Sequence, residues 1–168
     1  MTKKFQKALG ISTLLLLAAV TFVKYPALAQ KNGDQSNLSA NARSIEGVWD
    51  AQVTIRNCAS GIPGPTFRAM DLFIRGGSVV DTNSAPPSTR GPGMGTWEHL
   101  GGQNFTSTLR FFLYNPDGSL AGVRRIAQNI ELNDAGDAWS STVNIVVTAP
   151  NGVVVATACA TATATRFE

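Results

Sequence analysis

The chain has one histidine, His99, and two cysteines, Cys58 and Cys159, and these scarcities narrow the field first. A lone histidine without spaced Cys, Asp or Glu companions makes no metal site. The adjacent Glu98 would point to the opposite face of a strand, so zinc held by that pair fails. No Gly-x-Ser-x-Gly elbow occurs, and no thiol is left for nucleophilic chemistry once the cysteines are joined. No cofactor or metal is expected. Nothing longer than a turn reads as a helix in the folded part.

Apolar runs long enough for a membrane span are also lacking. Lys3, Lys4 and Lys7 precede an apolar run from Ile11 to Val23, and Ala27-Leu28-Ala29 forms a small-x-small site before Gln30. Residues 1–29 therefore read as a secretory signal peptide, the apolar run falling short of the ~20 residues of a span. No cysteine directly follows the cleavage point, which argues against a lipid anchor there. A secreted or periplasmic location is expected.

An excess of basic charge disappears with that segment. Residues 1–29 hold four of the fourteen basic side chains and none of the eleven acidic ones, so ten face eleven afterwards. Such a balance gives no electrostatic case for nucleic acid or an anionic membrane. Residues 30–44 are polar, lack aromatics and show no periodicity, and read as a disordered linker. Residues 45–168 are read as one domain. Two cysteines in an exported chain predict one disulfide, Cys58–Cys159; two separate thiols remain the alternative.

What is present is period-two alternation. Ala156 to Phe167 alternates small apolar with β-branched polar residues, the pattern of a strand with one buried and one wet face. Eight such segments are predicted: 46–57, 66–75, 78–82, 94–100, 104–114, 119–132, 138–149 and 153–167. The second carries Met70, Leu72 and Ile74 on one face, the fifth Phe105, Leu109, Phe111 and Leu113, and the seventh Trp139, Val143, Ile145 and Val147. Glycine and proline make residues 58–65 a loop, and residues 83–93 the longest irregular stretch. Short connections make consecutive strands antiparallel neighbours. If Cys58 faces Cys159, the first and last strands pair, Trp49 lies diagonal to Arg166 on one face, and the sheet closes. The expected fold is all-β: an eight-stranded antiparallel up-and-down barrel, with an open two-sheet sandwich as the rival.

Gly47-Val48-Trp49 on the first strand, with Arg166 on the last, resembles the calycin barrels: lipocalins, fatty-acid-binding proteins and avidins. The resemblance implies that Trp49 and Arg166 meet at the closed end, with the cation on the indole, as a structural barrel closure. The chain departs from lipocalins in having no Thr-Asp-x-x-Tyr-like second motif and no helix after the last strand. The loop after Cys58 is too short for the lid of fatty-acid-binding proteins. A second Gly-x-Trp, Gly95-Thr96-Trp97, reads as coincidence.

Inward polar residues are the candidates for binding. Arg124 and Gln128 share the face of Leu120 and Ile126, Ser107 that of Leu109, and His99 that of Trp97; Trp97 and Trp139 supply aromatic walls. An interior arginine needs a partner, because an uncompensated buried charge is costly. The partner is either a carboxylate-bearing ligand or an internal acid such as Glu98 or Asp71, brought inward by a register shift; alternatively a one-residue bulge in the sixth strand turns Arg124 outward. The leading expectation is a non-catalytic barrel binding a small apolar or amphipathic molecule at the end opposite Trp49. A secreted protein-interaction barrel, such as a protease inhibitor, is the alternative, and a cyclase- or isomerase-like barrel enzyme the second. An interior smaller than a few waters would end the carrier expectation and leave protein interaction as the favourite.

Overall fold

Alternation of small or apolar residues with polar ones produces eight strands, which the computed structural model describes within residues 44–167. Residues 1–43, on which the expected signal peptide and most of the expected linker fall, lie outside the described residues. The strands are β1 (Gly47–Arg56), β2 (Pro63–Ile74), β3 (Ser78–Asn83), β4 (Gly93–Gly101), β5 (Asn104–Tyr114), β6 (Leu120–Leu132), β7 (Ala138–Thr148) and β8 (Val154–Arg166). Each pairs antiparallel with the next and β8 pairs with β1, so the sheet is a closed barrel in sequence order. Closure leaves no free edge for another chain to pair with.

The β1–β8 register differs from direct cysteine pairing. Cys159 faces Arg56, and Trp49 lies directly opposite Arg166 instead of diagonal to it. The chain turns at Asn57, whose side chain accepts from the backbone of Ala59 and Ser60 and ends β1 before Cys58. Cys58 thus reaches Cys159 diagonally, with Cα atoms 5.1 Å apart, and the disulfide forms. A two-residue slip preserves the period-two faces, so every inward assignment on β1 and β8 survives.

Two other expectations are corrected. Met70, Leu72 and Ile74 lie on the outer face of β2, while Ala69, Asp71 and Phe73 are buried. Asp71 is therefore internal with no register shift, and Glu98 is exposed. The segment Pro63-Gly64-Pro65 belongs to β2 and not to a loop. It can do so because β3 pairs only with residues from Ala69 onward, leaving the start of β2 bonded on the β1 side alone. Proline, lacking a donor, is tolerated at such a half-paired strand end.

The core fills the end where β1 begins. Trp49 packs against Trp139 with centroids 6.2 Å apart, and Trp97 against Phe73 and Phe105. Ala160, Ala162 and Ala164 make room for these rings. Arg166 lies over the Trp49 ring at 4.3 Å and donates to the carbonyls of Ser44, Glu46 and Gly136. Trp49 in turn donates to the Ile45 carbonyl at 2.8 Å. Glycine is required at two positions here. Gly47 has φ +123°, and a Cβ would sit 2.8 Å from the Arg166 guanidinium. At Gly95 a Cβ would be 1.9 Å from the Thr108 carbonyl oxygen, so only glycine lets β4 and β5 close.

Candidate functional site

The other end of the barrel carries the irregular connections, including the loop between β3 and β4, and its interior is polar. On β3 the inward positions are Val79 and Asp81; on β2 they include Asp71, the direct cross-strand partner of Asp81. The β3–β4 loop folds back over this end. It is pinned by an isolated bridge between Arg90 and Leu113 and by the Tyr114 amide donating to the Thr89 carbonyl. Arg90 thereby enters the barrel. Its guanidinium donates to the Asp81 carboxylate at 2.6 Å and lies 3.8 Å from the Phe111 centroid.

Arg124 approaches the same ring from β6, its guanidinium carbon 5.6 Å from the centroid. Its Nε and the Arg90 Nη1 are buried and have no hydrogen-bond acceptor, as is the Ser107 hydroxyl. Gln128 accepts from Ser141 at 3.2 Å. Asp71, Asp81, Asn83, Arg124 and Gln128, with apolar walls from Leu109, Phe111 and Val143 among others, line an internal cavity of about 30 Å³. That volume holds about two waters. It does not enclose an alkyl chain, so a carrier holding an apolar molecule inside the barrel is not supported, and a group bound there can be no larger than a small head group.

The charges in this space do not balance pairwise. Burial pushes the Asp71 carboxyl up to about 7, the neighbouring Asp81 adding to the effect and Arg90 opposing it. Asp81 is raised by burial against the hydrogen bond and charge of Arg90. Arg124 is lowered by burial and then by the like charge of Arg90. With Asp81 engaged by Arg90 and Asp71 drawn toward its neutral form, the Arg124 guanidinium is left without a counter-charge at that end. A half-buried cation without a counter-charge is disfavoured, and a bound anion would relieve it.

The candidates named from sequence divide between the two ends. Arg124 and Gln128 meet in the cavity, and Ser107 is buried in the β5 wall. Trp97 and Trp139 belong to the packed opposite end; Trp97 donates to the Ile74 carbonyl at 2.9 Å. His99 is exposed, stacked on Phe105 at 4.7 Å, with Nε2 2.8 Å from the Gly102 carbonyl. It lies in the β4–β5 hairpin beyond the closed end, because strand alternation stops mattering once β4 runs past the barrel. Asp81 and Arg90 escaped the sequence reading. The alternation Val79, Asp81 would have flagged the first; Arg90 sits in a loop with no periodic signal.

A larger open groove of about 810 Å³ crosses the outer faces of β6, β7, β8, β1 and β2, near Asp50, Arg68, Glu131, Ser140 and Thr163. It lies outside the barrel, and of its lining residues only Trp139, whose side chain is in the core, has a buried group without a partner; the internal cavity is the better candidate. Among the described residues no cluster of His, Cys, Asp and Glu could hold a metal. No protein-family model matches the chain, and no curated protein matches it in sequence.

Proposed function

We propose that the chain is an exported, calycin-like barrel that binds a small anionic molecule without chemistry, its carboxylate or equivalent oxyanion held between Arg124 and Arg90. The observation that carries this reading is the pair of guanidiniums around Phe111, Arg90 buried and Arg124 half-buried, each with a buried N–H group lacking an acceptor. A carboxylate accepts from planar guanidinium donors in charge-assisted bonds and would supply the missing negative charge. The cavity suits a head group, not a whole amphipathic molecule. An apolar tail would rest at the mouth, where Ile62, Leu120, Val153, Val154 and Val155 are exposed at the same end of the barrel.

Native mass spectrometry and calorimetry with octanoate and octanol test this reading. Octanoate is expected to bind the mature chain and octanol not, and Arg124→Met should abolish octanoate binding while folding more tightly. Octanoate binding unchanged by Arg124→Met, or no carboxylate binding at all, would refute it. The nearly filled interior favours a second reading, in which the barrel is a rigid platform for a protein partner.

A further inference from the structure

The outer wall carries a feature that neither closure nor the internal cavity explains. Across adjacent strands, register aligns the outward residues Val48, Leu72, Val80 and Met94 in one row. Phe167 extends it beyond β8, its amide donating to the Val48 carbonyl. Met70 and Ile74 flank Leu72 along β2, and Phe167, Met70, Ile74 and Met94 are all exposed, Met94 by 63%. At strand spacing the row spans roughly 19 Å. The opposite choice, polar residues facing water, prevails on β8, β1 and β7, where Thr161, Thr54 and Thr142 align.

The row ends in like charges. Met94 faces Arg110 on β5, and Arg110 faces Arg125 on β6. Both arginines are exposed. The ion pairs among the described residues are Arg68–Asp50, Arg75–Glu46 and Arg90–Asp81, and none involves these two. Directly opposed like charges on neighbouring strands are destabilising. Phe112, next to Arg110 on the same face, is 54% exposed.

We infer that this face binds an acidic, apolar protein segment, whose hydrophobic side chains lie along Val48–Leu72–Val80–Met94 and whose carboxylates take Arg110 and Arg125. A second copy of the barrel fits poorly. The acids beside its row, Glu46 and Asp50, are already engaged by Arg75 and Arg68. The closed barrel has no edge to extend, so recognition runs through side chains and not through strand addition. This inference extends the interaction reading and owes nothing to Arg124.

The test uses the mature chain and short fluorescent peptides in which leucine alternates with glutamate, with lysine counterparts as controls. Arg125→Glu is the informative variant, because it places an ion pair opposite Arg110. The glutamate peptides should bind, the lysine peptides should not, and Arg125→Glu should weaken binding at least roughly tenfold, about 1.4 kcal/mol. The same variant should melt at an equal or slightly higher temperature, which separates lost recognition from lost folding. Equal binding of both peptide sets would overturn the inference, as would capture by phosphatidylglycerol vesicles without peptide binding. Binding indifferent to Arg125→Glu but lost in Ser88→Asp would move the partner to the β3–β4 loop, overturning this face while the interaction reading stands. Failure of every peptide would overturn both.

Discussion

Replacing Asp71 by asparagine probes the buried charge cluster directly, because the amide imitates the protonated acid. The folded carboxyl stands at about 7 against an ordinary 3.8, raised first by burial and then by Asp81. Over the window between those values the native state holds a proton that the unfolded chain releases. Stability attributable to this group is therefore intact below about pH 4, falls as pH rises toward 7, and levels off above. The gap corresponds to about 4 kcal/mol at most. Asp71→Asn should match the wild type near pH 4 and exceed it by roughly 2–4 kcal/mol at pH 8. Urea unfolding at pH steps between 4 and 8.5, disulfide intact, gives the difference between the two proteins and cancels the other titrating groups. Parallel curves across the window would refute the placement of a proton-retaining carboxyl inside the barrel. A wild type more stable than the variant at pH 8 would show Asp71 ionised and usefully paired.

Arg166→Ala removes the guanidinium over Trp49 and three carbonyl contacts. It should cost about 2–4 kcal/mol in denaturant titration and leave octanoate affinity unchanged; equal melting temperatures would remove its role as an end closure. Cys58→Ser with Cys159→Ser opens a cross-link spanning 101 residues, and should lower stability by up to about 4–5 kcal/mol in chemical denaturation. A loss under ~1 kcal/mol would show that the β1–β8 seam holds without its covalent tie. Gly95→Ala forces a methyl against the Thr108 carbonyl; the variant should fail to fold or lose several kcal/mol, read by circular dichroism, and a near-neutral outcome would mean that β4 and β5 do not approach as described.

Much of the barrel was legible because a strand writes its two faces into the sequence at fixed period. Ala158 to Ala164 and Phe105 to Phe111 announce their inward residues without help from tertiary contacts, and the glycine-rich turns set neighbour order. Parity also carried Trp49 and Arg166 to one face, even though their register was displaced by two residues. Alternation cannot tell which face is inward when both are partly apolar. On β2 the larger side chains, Met70 and Leu72, lost to Ala69, Asp71 and Phe73, because closure of the sheet fixes one concave side for all strands at once. Local sequence thus determined the strands, their order and the covalent tie. Only the assembled barrel decided what enters it: a loop residue, Arg90, meets Asp81 and Phe111 through the curvature of the whole sheet, and no spacing along the chain encodes that meeting.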